Sequence, residues 1–207
     1  MNNVNIDGKP ITPSKVICIG RNYVDHIQEL GNEMPDEMVV FLKPNSAICD
    51  ELISFHQEPL HYEGEICLMV IGGEFRAVGF GLDLTKRQLQ GKLKSKGLPW
   101  ERAKAFDDSA VMGDFVSIDN SDNIDDSLSL TLTIDGEVIQ QGGVELMMYK
   151  PQQILESLKE HFTLEDGDIV MTGTPKGVGV IEAGAQFHGV ISSAQQTLSE
   201  SRWRAQS

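Results

Sequence analysis

Two glutamates separated by one glycine, in HYEGEICLMVIG (61–72), are of a type and spacing that could do chemistry. Strand side chains alternate, so Glu63 and Glu65 point to one face. Like charges placed so repel unless a cation lies between them. Asp83 ends a later apolar run, FRAVGFGLDL (75–84), where a loop or helix begins. Three carboxylates converging from neighbouring strands make an oxygen site for a hard divalent cation, magnesium or manganese. Zinc suits it poorly, because no histidine-rich or thiolate set accompanies them. His61 shares the face of Glu63 and could support the ligands from behind. A second reading stays open on spacing alone: the two glutamates line an exposed strand edge and repel weakly.

Other polar residues have compatible spacing. If DLTKRQLQ (83–90) is helical, Asp83, Arg87 and Gln90 share one face. A guanidinium and an amide beside such a site suit a small 2-oxo acid, because Arg holds a carboxylate through two parallel hydrogen bonds. The competing reading is a surface helix with ordinary ion pairs. His26 and Glu29, in RNYVDHIQE (21–29), are also one helical face apart. A carboxylate there fixes the imidazole tautomer and raises its basicity, as a general base requires. A lone His–Glu pair is more often structural. TGTPKGVG (172–179) fails the phosphate-loop spacing. Its glycines instead let the backbone approach a ligand, with the Thr174 hydroxyl at that approach.

The elements that must position these groups are mostly strands. KVICIG (15–20), MVVFLKP (38–44), the stretch from His61, FRAVGFGLDL and DIVM (168–171) read as apolar strands, and GAQFHGVI (184–191) as another. SLTLTIDGEVIQQ alternates around Asp135–Gly136, the pair preferred in a two-residue hairpin turn. Helices are expected at 21–30, with Asn22 as cap, at 84–97 ended by Gly97, and at 151–162 with Pro151 in the first turn. Strands outnumber helices without regular alternation, so a mainly β, mixed-sheet α+β domain is expected.

The chain has 207 residues and a net charge of −14. That charge opposes general nucleic-acid binding, yet allows an anionic small substrate where positive charge is locally concentrated. No run of 18 apolar residues is present, so no membrane partner is expected. The first ten residues lack the regions of a signal peptide, and three scattered cysteines form no CxxC pair. A cytoplasmic location is expected. The acidic run DNSDNIDDS (119–127) lacks the glycine and closing glutamate of a calcium loop and reads as a solvated loop. The final fifteen residues, 193–207, carry little pattern and are expected to fray as a tail.

Seven segments, GRNYVDH, FLKP, HYEGE, LDLTKRQLQ, KGLPWERAKAFD, DGEVIQQ and LEDGDIVMTGTPKGVG, occur in an order that resembles the fumarylacetoacetate hydrolase family. The branch most similar is that of single-domain acylpyruvases and oxaloacetate decarboxylases. The resemblance implies a mixed β-sandwich or roll over residues 15–192, after an extension of residues 1–14, in a homodimer with one Mg²⁺ or Mn²⁺. It implies Glu63, Glu65 and Asp83 as metal ligands, and His26, Glu29 and Lys104 as catalytic groups. Arg87, Gln90, Thr174 and Lys43 are implied on the substrate side. The activity implied is metal-dependent hydrolysis of a C–C bond in a 2,4-dioxo acid, an acylpyruvate, giving pyruvate and a carboxylate. The alternatives are oxaloacetate decarboxylation, oxaloacetate keto–enol tautomerisation or a related dioate isomerisation; outside enzymes, a metal-stabilised binding module. Relatives usually carry a longer stretch, often with a short helix, between the paired glutamates and the aspartate. Here only residues 66–82 intervene.

Overall fold

The computed structural model describes residues 1–29, 31, 35–118, 124–194 and 196–207. Strands β1 (Lys15–Gly20), β2 (Val39–Pro44), β3 (Ile48–Cys49), β4 (Gly64–Ile71) and β5 (Glu74–Asp83) build most of a large mixed sheet. Helices α1 (Val24–Glu29), α2 (Arg87–Ser95) and α3 (Glu101–Lys104) lie between or after them, and β6 (Ala110–Met112) follows. After a helical turn α4 (Ile124–Ser127) come β7 (Leu128–Ile134), β8 (Glu137–Gly143), helix α5 (Pro151–His161), β9 (Ile169–Met171), β10 (Gln186–Ser193) and β11 (Gln196–Arg204). The large sheet runs β2-β1-β9-β4-β5-β6-β3, and Val116–Ser117 also pairs with β5. A four-stranded sheet runs β8-β7-β10-β11.

Burial on both faces explains why β1 and most of β4 read as apolar runs. Ile17 and Ile19 of β1, with Ile66, Leu68 and Val70 of β4, join one core with Leu130, Leu132, Phe187 and Ile191 of the smaller sheet. Val16, Cys18, Cys67 and Met69 enter a second core on the opposite face. A strand covered on both sides loses its polar alternation and reads as a continuous apolar run. The two sheets meet tightly. A Cβ on Gly189 of β10 would stand 2.4–2.5 Å from ring atoms of Phe80 in β5.

Short-range expectations hold well. Asp135 and Gly136 both have positive φ, as their turn requires. Gly97 ends α2 in left-handed backbone, and Pro151 opens α5. Residues 66–82 make a hairpin in which Ile71 pairs with Glu74 across Gly72–Gly73, so the short intervening stretch is a minimal turn.

Two expectations are corrected. The end of the chain is not a frayed tail, because Gln196–Arg204 pair along β10 and Ala205 is buried. Within the extension of residues 1–14, Val4–Ile6 and Lys9–Ile11 form a hairpin that buries Val4. Asn22 does not cap α1: its amide donates to the carbonyls of Thr172 and Tyr149, and its oxygen accepts from the Tyr149 N–H. Of the acidic run, residues 119–123 lie outside the described residues.

Candidate metal and substrate cleft

Antiparallel pairing of β4 with β5 sets Gly81 opposite Glu65, and just beyond it the Asp83 N–H donates to the Glu63 carbonyl at 2.9 Å. Ligand oxygens of Glu63, Glu65 and Asp83 consequently lie within 4.8 Å of one another, all buried. Cations of the chain surround them. Lys104 Nζ, from α3, donates to Glu63 Oε2 and Asp83 Oδ2, both at 2.8 Å, and to Thr85 Oγ1 at 2.6 Å. Arg87 Nη2 donates to Glu63 Oε1 at 2.6 Å, and its Nη1 to Gln90 Oε1 at 2.9 Å. Lys43 Nζ approaches Asp83 Oδ1 to 2.8 Å, but outside hydrogen-bonding direction, so that buried oxygen accepts no hydrogen bond.

The carboxylates differ electrostatically. Burial alone would raise Glu63, but Lys104 and then Arg87 outweigh it and hold the carboxyl well below its ordinary range. Glu65 is pushed well above that range, by burial first and then by Asp83 and Glu63; the Gly173 N–H, donating to its Oε2 at 2.7 Å, offsets only part. Burial lowers Lys104, yet Asp83 and Glu63 prevail and raise it, so its ammonium persists. Three crowded carboxylates, one with an oxygen that accepts no hydrogen bond, have the donor chemistry of a hard divalent cation site. The three carboxylates fit the ion expected from sequence.

Around them is a cleft that also includes His26, Arg87, Gln90, Lys104 and Thr174. His26 Nδ1 is 3.2 Å from Glu29 Oε2, and the Glu29 carboxylate also accepts from the Gly177 N–H at 3.0 Å. This ties α1 to the glycine-rich loop. Thr174 Oγ1 donates to the Gly64 carbonyl at 2.9 Å and accepts from Gln140 Nε2 at 2.8 Å. Gln140 in turn accepts from the Gly64 N–H at 2.9 Å, which holds the Glu-Gly-Glu stretch in place.

Two expectations change here. Asp83 ends β5 while α2 begins at Arg87, so strand-to-helix geometry rather than one helical face unites Asp83 with Arg87 and Gln90. Lys43 does not line the cleft: it is fully buried behind Asp83 and donates to the carbonyls of Lys104 and Ser109. It cannot meet substrate from there, and acts by holding α3 against the acidic cluster. Sequence reasoning did not single out Thr85, Gln140, Arg21, Phe41, Lys94 or Trp100. The last four line the cleft, and only the basic helix signalled Lys94.

A family profile described as fumarylacetoacetate (FAA) hydrolase, C-terminal, matches residues 15–201. The chain belongs to the fumarylacetoacetate hydrolase family. It is 37% identical over 190 residues to the oxaloacetate tautomerase YcgM of Escherichia coli strain K12, covering 84% of this chain and 86% of that protein. It is 38% identical over 199 residues to the mitochondrial oxaloacetate tautomerase FAHD1 of Bos taurus, covering 86% and 88%. A solved structure of fumarylpyruvate hydrolase from Pseudomonas aeruginosa, in complex with Mn²⁺ and pyruvate, superposes with a TM-score of 0.87 at 28% identity. That match covers 99% of this chain and 95% of the other. Among family members, then, are proteins named tautomerases and a hydrolase. Among the described residues no helix is long and apolar enough to cross a membrane.

Proposed function

We propose that this chain is a divalent-metal-dependent oxaloacetate keto–enol tautomerase. The observation that carries the reading is the His26–Glu29 pair on the same cleft as the three-carboxylate site. The names of the relatives favour this alternative over the acylpyruvate hydrolysis that the resemblance put first.

Glu63, Glu65 and Asp83 would hold Mg²⁺ or Mn²⁺. When bound, the ion supplies Lewis-acid polarisation of the substrate's carboxylate and 2-oxo oxygens. Arg87 and Gln90 orient the carboxylate end, with Thr174 bordering it. The Glu29 carboxylate favours the tautomer in which Nδ1 of His26 carries hydrogen, leaving Nε2 to take a proton. In tautomerisation that proton leaves C3 and one is returned to the 2-oxo oxygen, with no net change in atoms. Lys104 Nζ, held by Glu63 and Asp83 at the edge of the cluster, would stabilise negative charge developing beside it.

Acylpyruvate hydrolysis remains a second reading, favoured by the Pseudomonas aeruginosa neighbour, because the same His–Glu pair could activate water. The test follows loss of enol absorbance from oxaloacetate, with Mn²⁺ and with chelator, beside pyruvate release from acetylpyruvate. Metal-dependent enol conversion that His26→Ala slows at least about a hundredfold supports the tautomerase. Faster pyruvate release than enol conversion would reverse the order of the two readings. A cytoplasmic homodimer completes the proposal. Exposed Val138 and Ile139 on edge strand β8 support self-association, which light scattering would measure.

A further inference from the structure

Beyond the acidic cluster, the cleft carries cations that the reaction above does not use. On α2, Arg87, Gln90 and Lys94 stand three and four residues apart and form one stripe facing the cleft. Lys94 Nζ lies 5.8 Å from the centre of the Trp100 ring, which is 6.1 Å from that of Phe41. Arg21 enters from the other side, where β1 ends. Its backbone is left-handed, with φ at 56°, a conformation that a non-glycine residue keeps only where its surroundings impose it. The bonds that fix Asn22 to Thr172 and Tyr149 impose it here.

We propose that Arg21 and Lys94 form a second anion subsite, which takes the distal carboxylate of a four-carbon 2-oxo dicarboxylate. The cleft thereby selects dianions over 2-oxo acids with an apolar tail. This rests on the reading that the inner end of the cleft holds a 2-oxo acid. Charge supports it. Among the described residues the cleft is lined by four cations, Arg21, Arg87, Lys94 and Lys104, against Glu63, Glu65 and Asp83. That excess stands in a chain whose net charge is −14. The two groups are electrostatically near: Lys94 is drawn below the ordinary lysine range by burial first, then by Arg21 and Arg87. Exposure gives the depth. Glu65, Asp83 and Lys104 are buried, whereas Arg21, Lys94, Phe41 and Trp100 are half-buried. A ligand anchored at the carboxylate cluster would extend its tail toward the second group. The tilted aromatic pair walls that path and, through the cation–π contact, holds the Lys94 head.

The decisive pair of ligands is oxaloacetate and 2-oxobutanoate, which differ by a methyl in place of the distal carboxylate. Calorimetry on the Mn²⁺-loaded protein, over times short against turnover, gives both affinities. The wild type should bind oxaloacetate at least about tenfold tighter. Lys94→Gln, on a half-buried helical position, should remove most of that ratio while changing 2-oxobutanoate binding less than about twofold. Arg21→Asn, chosen because asparagine tolerates left-handed backbone, should do the same. Equal affinities in the wild type, or equal losses for both ligands in both variants, would overturn the subsite. A ratio that collapses in the variants of a protein without tautomerase activity keeps the subsite and removes the proposed reaction. Tautomerase activity with an unchanged ratio removes the subsite alone.

Discussion

Replacing Glu65 by glutamine should separate the two states of the acidic cluster. Without metal, Glu65 is the carboxylate in conflict, pushed up by burial and by Asp83 and Glu63. Glutamine keeps an oxygen to accept the Gly173 N–H, now at 2.7 Å, and removes the repelling charge. The metal-free variant should therefore melt no lower than the wild type. With metal the order reverses, because one of three ligands is lost. At a metal concentration of about a hundred times Kd, binding stabilises the wild type by about 2.7 kcal/mol. At about 2–4 °C per kcal/mol for a chain of this size, the gain is about 5–11 °C. Scanning calorimetry in chelator and in Mn²⁺ reads both numbers. An equal Mn²⁺-induced rise in wild type and Glu65→Gln would refute the ligand assignment. A large drop in the metal-free variant would refute the electrostatic account of the cluster.

Lys104→Met leaves Glu63 and Asp83 without their shared ammonium, and should cost about 3 kcal/mol in thermal unfolding without metal. A change below about 1 kcal/mol would contradict the network. Asp168 accepts from the N–H groups of Ser14, Lys15 and Glu165 and from the Ser14 hydroxyl, and pairs with Lys15. Burial raises its pKa, but these bonds prevail and lower it. A depressed carboxyl stabilises above its unfolded pKa of about 3.9 and loses that contribution as pH falls through the folded value. The gap in melting temperature between wild type and Asp168→Asn should thus be full near neutral pH and shrink in acid. A gap independent of pH would be inconsistent with that linkage. Gly189→Ala forces a methyl against the buried Phe80 ring and should cost about 2–3 kcal/mol, read as a lower urea midpoint at unchanged slope.

Local chemistry explains what the sequence made legible. The Asp135–Gly136 hairpin, the strand at 15–20 and the helix at 151–161 follow from turn preference, apolar runs and a first-turn proline. The three carboxylates were visible as Glu-Gly-Glu and an aspartate at a strand end. Strand β11 was not, because two of its inward positions are Ser199 and Ser201, both buried, so no apolar alternation marks it. Space beside one of them is tight: a Cβ on Gly113 would meet Ser201 Oγ at 1.7 Å. The resemblance implied Lys43 on the substrate side, whereas burial places it behind Asp83. Arg21 and Lys94 are brought to one cleft from 73 positions apart, a distance that spacing rules do not bridge.

Gly72 and Gly73 join the strands bearing Glu65 and Asp83 with no residues to spare. Such a hairpin closes on the order of 1–10 μs, whereas His26 and Thr174 must arrive by contacts distant in sequence. In refolding, then, the carboxylates should gather before Lys43 docks behind them from across the sheet. The same minimal turn that compacts the site makes its repulsion an early kinetic barrier. A divalent ion present at that moment should act on the rate of folding as well as on final stability. Stopped-flow refolding should accelerate in Mn²⁺ for the wild type and not for Glu65→Gln, and equal acceleration of both would place the ion's effect elsewhere.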